Sequence, residues 1–221
     1  MEGKIRGAIF DMDGTLLDSM PKWRGMKEVF LRARGIEATE DELYRLQTVS
    51  LRDGAAFIKE RYEIADSEDE ILCELSAIVR KFYEEGVPLK AGAIPFLEHL
   101  RRFGVPMSVA SATDRELMEI ALTRCGIRHY FGEVFSTKTI GKSKRYPDIY
   151  RLAAESLGSP IEETWVFEDV LIALQTAKKA GFRTVGIYDR DELCADEMRA
   201  TADLYCTDFV DCLRNFEKGI G

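Results

Sequence analysis

The sequence has few of the residues that bind transition metals or build disulfide frameworks. Only two histidines occur among 221 residues, and none of the five cysteines stands in a C-x-x-C pair. Zinc sites use closely spaced Cys and His ligands, so a zinc site is not expected. An odd number of widely spaced cysteines is also unlike a disulfide-rich secreted protein. The cysteines are therefore expected to be free thiols in a reducing compartment.

The sequence also lacks a long apolar run and an excess of positive charge. A membrane-spanning helix needs about 20 apolar residues, and no stretch approaches that length. The N-terminal residues do not resemble a secretory signal, so a cytoplasmic location is expected. The formal net charge of −8 argues against nucleic acid or an anionic membrane as a partner. It does not exclude a small anionic substrate.

Short apolar segments alternate with amphipathic helical patterns along most of the chain. Strands are predicted at 5–12, 105–110, 133–136, 164–168, 184–188 and 204–206, and the clearest helices at 115–125, 148–157 and 171–180. This alternation is typical of an α/β fold with a Rossmann-like parallel sheet that is covered by helices on both faces.

One interval breaks the regular spacing of strands. More than 90 residues separate the first predicted strand from the second, and they carry only helical signals. Thr39 and Ser67 each begin a capping-box pattern with a glutamate three residues later. We therefore expect a small α-helical cap at 17–88, inserted into an α/β core formed by 1–16 and 89–221.

Polar side chains capable of catalysis follow the predicted strands. Asp11 and Asp13 come after the first strand, and Ser111 comes after the second. Glu168 ends the strand at 164–168, and Asp169 follows it. Because ligands bind at the carboxyl ends of the strands in an open α/β sheet, these residues are expected to meet at one edge.

Four acids in one place need a positive partner. At an effective dielectric constant of about 20, two like charges about 4 Å apart repel by about 4 kcal/mol. Mg²⁺ prefers such hard oxygen ligands, and a lysine of the loop at 142–145 adds positive charge. A carboxylate that attacks a phosphoryl group meets the same repulsion, which Mg²⁺ and the lysine remove. The pattern therefore predicts phosphoryl transfer to an aspartate, followed by hydrolysis of the acyl phosphate.

The run D-M-D-G-T-L-L-D-S at 11–19 resembles the nucleophile motif of the haloacid dehalogenase superfamily. Ser111, the stretch K-R-Y-P-D at 144–148 and F-E-D at 167–169 follow in the order of that family. The resemblance covers essentially the whole chain and points to the branch with a helical cap, which includes β-phosphoglucomutase and phosphoglycolate phosphatase. It implies a Mg²⁺-dependent phosphoric monoester hydrolase that acts on a small phosphorylated metabolite.

The resemblance also implies roles for the two aspartates of the first motif. Asp11 is the nucleophile, and its side chain ligates Mg²⁺. Asp13 is the general acid and base, and its main-chain carbonyl ligates the metal. Dehalogenases and phosphonate-cleaving members lack an aspartate at the second position, so Asp13 favours phosphate esters.

The same resemblance implies roles for the later motifs. Ser111 binds the transferring phosphoryl group together with the N–H of Ala112. Lys144 neutralises the charge of the phosphate and the nucleophile. Asp169 ligates the metal, and Glu168 either ligates it or orients a bound water.

Departures from the family pattern leave the lysine loop open to two interpretations. Arg145 stands where relatives usually have proline, and both Lys142 and Lys144 are candidates for the site lysine. Counting back from the Pro-Asp pair favours Lys144. Val170 and Ala173 replace a serine and a glycine that commonly follow the acidic pair, which affects the shape of that loop.

The start of the insert has two interpretations as well. Asp18 and Ser19 either cap the first helix of the insert or take part in catalysis. Trp23 and Arg24 either pack in the helical core or contact the substrate.

Hydrolysis of a small-molecule phosphate monoester through an aspartyl-phosphate intermediate is the favoured prediction. The alternative is a phosphomutase like β-phosphoglucomutase, although the segment at 46–52 matches the cap signature of the mutases only in part. A non-enzymatic phospho-accepting switch is disfavoured, because such switches carry the acceptor in mid-chain and have no large helical insert.

Overall fold

The computed structural model describes residues 5–190 and 194–218. The chain divides into two compact units, one formed by Met1–Asp18 with Pro88–Gly221 and the other by Ser19–Val87. The outermost residues of the predicted core, 1–4 and 219–221, lie outside the described residues. Leu17 and Pro88, which were predicted to belong to the insert, lie in the first unit.

The first unit contains a six-stranded parallel sheet in the order β3-β2-β1-β4-β5-β6. Its strands are β1 (Gly7–Phe10), β2 (Met107–Ser111), β3 (Val134–Ser136), β4 (Thr164–Glu168), β5 (Arg183–Ile187) and β6 (Leu204–Cys206). The order reverses at β1, which is the arrangement of a doubly wound sheet. The predicted α/β Rossmann-like fold class is confirmed.

The described helices follow the same division into units. The helical unit contains α1 (Met20–Arg32), α2 (Glu40–Thr48), α3 (Leu51–Tyr62) and α4 (Glu68–Glu85). The unit with the sheet contains α5 (Ala93–Arg102), α6 (Arg115–Arg124), α7 (Thr137–Ile140), α8 (Asp148–Leu157), α9 (Leu171–Lys179), α10 (Ala195–Thr201) and α11 (Phe209–Glu217), with short 3₁₀ turns at Arg128–Tyr130 and Ile161–Glu163.

Helices cover both faces of the sheet, and successive strand residues point to opposite faces, so both sets of side chains are buried. Phe10 stacks on Phe167 with ring centroids 4.4 Å apart, and Phe96 of α5 and Phe209 of α11 pack against them. The adjacent strand residues, such as Ile9, face the other side and pack against α8 and α9. Helices on both faces hold the central strands, and thus the residues that follow them, in a rigid frame.

The helical unit has its own apolar core and its own helix caps. Thr39 and Ser67 form the predicted capping boxes, so these two helix starts are confirmed. Buried residues from all four helices form the core: Phe30, Leu31, Leu46, Ala55, Ile58, Ile71 and Leu75. On α4, Ile71 and Leu75 stand four residues apart and therefore lie on one face of the helix.

A buried lysine closes the end of α2 in this unit. Lys27 is 5% exposed, and its Nζ donates to the carbonyls of Leu46 and Val49, at 2.5 and 2.8 Å. A Cβ at Gly54 would lie 2.6 Å from Cε of Lys27, so the glycine leaves the space that the Lys27 side chain occupies. Burial lowers the pKa of Lys27, while Asp53 raises it.

The start of α1 differs from the capping expectation. Ser19 occupies the N-cap position, but its side chain makes no capping hydrogen bond, and Asp18 is exposed. Trp23 is half-buried and donates from Nε1 to the hydroxyl of Tyr83 on α4, at 3.1 Å. Trp23 thus packs inside the helical unit.

None of the helices in the described part of the chain is both long and apolar enough to cross a membrane.

Candidate active site

The candidate site lies at the carboxyl ends of β1, β2 and β4. β1 pairs with β2 on one side and with β4 on the other, so the residues that end these strands are neighbours. Asp11 follows β1, Ser111 ends β2, and Glu168 ends β4 with Asp169 next. The chain thus brings together side chains that are far apart in sequence.

Lys144 joins two of the carboxylates. Its Nζ lies 2.5 Å from Oδ1 of Asp11 and 2.6 Å from Oε1 of Glu168. The three side chains are only 12%, 8% and 1% exposed, respectively. The hydroxyl of Tyr150 on α8 donates to the same Oε1 of Glu168 at 2.7 Å. One oxygen of Glu168 is therefore held by two donors.

The other oxygen of Glu168 indicates where a cation fits. Oε2 is buried and has no hydrogen-bond partner among the described residues, an arrangement that is costly for a carboxylate. One carboxylate oxygen from each of Asp11, Glu168 and Asp169 lies within 4.8 Å of the other two. Three carboxylates against one lysine leave excess negative charge. The residues present therefore fit a divalent, oxygen-preferring ion such as Mg²⁺.

Burial and the crowding of carboxylates also shift the pKa values of the groups in this cluster. Burial raises the pKa of Glu168 to about 7, with Lys144 lowering it and Asp11 raising it. Burial, followed by Asp11 and Glu168, raises the pKa of Asp169 well above its ordinary value. Burial lowers the pKa of Lys144, but the carboxylates of Asp11 and Glu168 outweigh this and raise it, so the ammonium stays charged. Ionised acids are costly in this cluster, and a cation would reduce that cost.

Thr15 and Gly14 shape the surroundings of the Asp169 carboxylate. The hydroxyl of Thr15 donates to Oδ1 of Asp169 at 2.8 Å. Gly14 has φ +80°, and a Cβ built there would overlap the Asp169 carboxylate. Glycine therefore serves both the left-handed turn and the close approach of the two loops.

The side chain of Asp13 lies outside the three-carboxylate cluster. It is half-buried, and its Oδ2 accepts a hydrogen bond of 2.6 Å from the hydroxyl of Thr113 in the loop after β2. Asp13 thus lies at the same edge of the sheet but in a different local environment from Asp11.

Ser111 and Ala112 lie where β2 ends. Ser111 is buried, and its Oγ accepts the N–H of Thr113 at 3.2 Å, whereas Ala112 is exposed. None of the hydrogen bonds of the described residues joins Ser111 to the carboxylate cluster. The roles of Ser111 and Ala112 in phosphate binding stay predictions.

The structure distinguishes the two candidate lysines. Lys144 contacts Asp11 and Glu168, whereas Lys142 pairs with Asp148 and has a side chain that is 54% exposed. Arg145, next to Lys144, is exposed. The geometry therefore places Lys144 in the site.

Thr15, Thr113 and Tyr150 have contacts in the site that were not predicted from the sequence. Thr15 and Thr113 stand inside the stretches that follow β1 and β2, so their position after a strand was an available signal. Tyr150 lies on the buried face of α8, where apolar packing is the ordinary expectation. Its hydrogen bond to Glu168 follows from tertiary structure alone.

The chain matches the family model of haloacid dehalogenase-like hydrolases over residues 5–181. This span contains every site residue described above. Two relatives are named as phosphatases. The chain is 28% identical over 182 residues to a phosphorylated carbohydrates phosphatase of Thermotoga maritima, covering 82% of this chain and 84% of the relative. It is 29% identical over 194 residues to a fructose-1-phosphate phosphatase of Escherichia coli, covering 85% and 98%.

Solved structures show the same fold. One from Thermotoga maritima, provisionally described as a β-phosphoglucomutase, has a TM-score of 0.86 at 24% identity and covers 96% of this chain and 99% of that chain. At this identity the likeness concerns the fold. The family match over most of the chain, the fold and the arrangement of acids around a lysine agree: the protein belongs to the haloacid dehalogenase-like hydrolases.

Proposed function

We propose that the protein is a Mg²⁺-dependent phosphatase that hydrolyses a small phosphorylated sugar through an aspartyl-phosphate intermediate. The observation that carries this proposal is the contact of Lys144 with Asp11 inside a buried cluster of three carboxylates. A nucleophilic carboxylate needs such positive charge before it can approach a phosphate.

The metal is assigned to the acidic cluster. Asp11 and Asp169 supply carboxylate oxygens, the main-chain carbonyl of Asp13 adds a further ligand, and Glu168 contributes directly or through a water. The unpartnered Oε2 of Glu168 supports its inclusion. When bound, Mg²⁺ supplies positive charge that offsets the repulsion between these acids and an anionic substrate.

In the first step, an oxygen of Asp11 forms a bond to phosphorus while the ester P–O bond breaks. Asp13 gives its proton to the departing oxygen. Ser111 and the N–H of Ala112 hold the transferring group, and Lys144 offsets its charge.

In the second step, water attacks the phosphorus of the aspartyl phosphate and gives a proton to Asp13. The carboxylate of Asp11 then leaves as inorganic phosphate is released. Asp13 therefore alternates between the acid and the carboxylate, and its side chain lies outside the cluster in which Lys144 pairs with Asp11.

The relatives support a sugar phosphate as the substrate class, since one is named for phosphorylated carbohydrates and another for fructose 1-phosphate. The residues assigned above handle the phosphoryl group and not the sugar. We assign the choice of sugar to the helical unit Ser19–Val87, acting as a cap.

A cytoplasmic location is part of the proposal, supported by five free cysteines, and nucleic acid is not proposed as a partner.

The test is phosphate release from a panel of sugar phosphates, phosphoglycolate, nucleotides and pyrophosphate, each with and without Mg²⁺. Mg²⁺-dependent release that is fastest for one or more sugar phosphates is expected. No release from any member of the panel would overturn the proposal. With β-glucose 1-phosphate, formation of glucose 6-phosphate with little free phosphate would instead identify a phosphomutase.

A further inference from the structure

We propose that Thr113 is a positioning residue that fixes the carboxyl group of Asp13 for both of its proton transfers. This inference rests on the proposed phosphatase function and adds a residue to its machinery. Thr113 is 7% exposed, and its Oγ1 lies 2.6 Å from Oδ2 of Asp13. The contact joins the loops after β1 and β2 across 100 positions of sequence.

The main chain of Thr113 is held on both sides, which sets the direction of its side chain. Its N–H donates to Oγ of Ser111 at 3.2 Å, and its carbonyl accepts from the hydroxyl of Ser136 at 2.7 Å. Ser136 is buried at the end of β3, where its Oγ also accepts the N–H of Lys138. The ends of two neighbouring strands, β2 and β3, therefore fix the main chain from which the hydroxyl of Thr113 points to Asp13.

A hydroxyl suits the partner of a group that changes protonation state. It can donate to a carboxylate and can also accept from a carboxylic acid. Asp13 would therefore keep a hydrogen-bond partner as an acid, when it protonates the leaving group, and as a carboxylate, when it takes a proton from water. A valine of nearly the same shape provides neither contact.

The contact with Ser111 is made by the main chain of Thr113 and does not depend on its side chain. The N–H of Thr113 occupies a lone pair of the Ser111 oxygen, while the hydroxyl hydrogen of Ser111 can still donate to a phosphoryl oxygen. Replacing the Thr113 side chain should therefore impair proton transfer by Asp13 and spare phosphate binding. This separation makes the proposal testable.

The experiment compares Thr113→Val with wild type on p-nitrophenyl phosphate, phenyl phosphate and glycerol 2-phosphate. The value of kcat/KM reports phosphoryl transfer to Asp11, and a poor leaving group needs a proton more than a good one. For Thr113→Val we expect kcat/KM to fall about 30-fold to 100-fold with glycerol 2-phosphate and less than about threefold with p-nitrophenyl phosphate. Phenyl phosphate should fall between them.

Thr113→Ser, which keeps the hydroxyl, should recover glycerol 2-phosphate hydrolysis to within about threefold of wild type. The inhibition constant of inorganic phosphate should change less than about twofold in Thr113→Val, because the N–H of residue 113 keeps its contact with Oγ of Ser111. The matched control is Thr176→Val, since the hydroxyl of Thr176 donates to the carbonyl of Ile172 within α9. Thr113→Ala replaces Thr113→Val if the valine variant does not fold.

An equal fall for all three esters would indicate a merely structural role and overturn the proposal. Unchanged kcat/KM in Thr113→Val would overturn it as well, while leaving the phosphatase function intact. If wild type with Mg²⁺ hydrolyses neither these esters nor any member of the sugar-phosphate panel, the proposed function itself fails.

Discussion

At the scale of single residues, hydrogen-bond donors hold one oxygen of Glu168 and one oxygen of Asp169. Oε1 of Glu168 is held by Lys144 and Tyr150, while Oε2 is buried without a partner among the described residues. Oδ1 of Asp169 is held by Thr15. Such fixed donors orient the carboxylates of the proposed cation site, which would reduce the reorganisation that binding of a cation requires.

Asp11→Asn is expected to lower phosphate release by at least about 10⁴-fold, because a neutral carboxamide is a poor nucleophile. Release from p-nitrophenyl phosphate with Mg²⁺ measures the effect. Asp196→Asn serves as the control, because Asp196 has a side chain that is 98% exposed on α10. Activity near that of wild type in Asp11→Asn would show that another group attacks the phosphorus.

Gly14→Ala is expected to weaken both Mg²⁺ binding and turnover, because its Cβ would overlap the Asp169 carboxylate at φ +80°. The rise in melting temperature on adding Mg²⁺ should disappear, and kcat should fall at least about tenfold. Gly126→Ala is the matched control. Gly126 has φ +71° with open space around it, so this change should cost about 1 kcal/mol of stability and leave the Mg²⁺ response intact. Equal Mg²⁺ responses in the two variants would contradict the assignment of Asp169.

At the scale of elements, side-chain hydrogen bonds join β5 and β6, two strands to which no catalytic residue is assigned. Asp203, just before β6, accepts from the N–H and hydroxyl of Thr184 on β5, each at 2.9 Å, and from Lys178 of α9, also at 2.9 Å. Burial alone would raise the pKa of Asp203, but the hydrogen bonds from Lys178 and Thr184 outweigh it and lower the pKa. The ionised form of Asp203 therefore stabilises the junction of β5, β6 and α9.

Asp203→Asn is expected to lower the free energy of unfolding by about 1–2 kcal/mol at pH 7, since charged hydrogen bonds are lost. A lowered folded-state pKa contributes stability above the unfolded-state value, near 3.9, and that contribution is lost as the pH falls through the folded-state pKa. The difference between variant and wild type should therefore shrink as the pH falls below about 4. Urea denaturation at pH 7, 4 and 3 measures it, with Asp196→Asn as the exposed control. A difference that is the same at every pH would show that the charge of Asp203 does not matter.

At the scale of the whole molecule, the insert leaves and rejoins the sheet-containing unit at adjacent points. The N–H of Asp18 donates to the carbonyl of Pro88 at 2.9 Å, and Leu17 forms an antiparallel bridge with Leu89. The two units have separate apolar cores. The first unit ends one segment at Asp18 and resumes at Pro88, and these two points are therefore joined without the helical insert.

Replacement of Ser19–Val87 by a short Gly-Ser linker is expected to leave a folded α/β protein. Far-UV circular dichroism and a cooperative thermal transition check the fold, and the rise in melting temperature with Mg²⁺ checks the acidic cluster. Because the helical unit is assigned the choice of sugar, the shortened protein should lose its preference among sugar phosphates. An unfolded product would show that the units depend on each other for stability.

The sequence by itself determined the fold class and the carboxyl-end placement of the acids. Apolar segments, capping boxes and residues that follow strands are local patterns, and local patterns suffice to predict parallel strands with polar ends at one edge. The helical character of the insert was also predictable, because Thr39 and Ser67 carry their capping partners three residues away.

Tertiary structure decided which side chains meet at that edge and through which atoms. Three contacts show this: Lys144 with Asp11, Tyr150 with Glu168, and Thr113 with Asp13. Each joins residues that lie 18 to 133 positions apart in the sequence. Such contacts depend on the packing of α8 and of the strand-end loops against the sheet, which sets side-chain directions that no local pattern contains. Residue types along the chain thus indicated phosphate chemistry, and the fold placed Lys144 beside Asp11, gave Asp13 a separate environment and left one oxygen of Glu168 without a partner among the described residues.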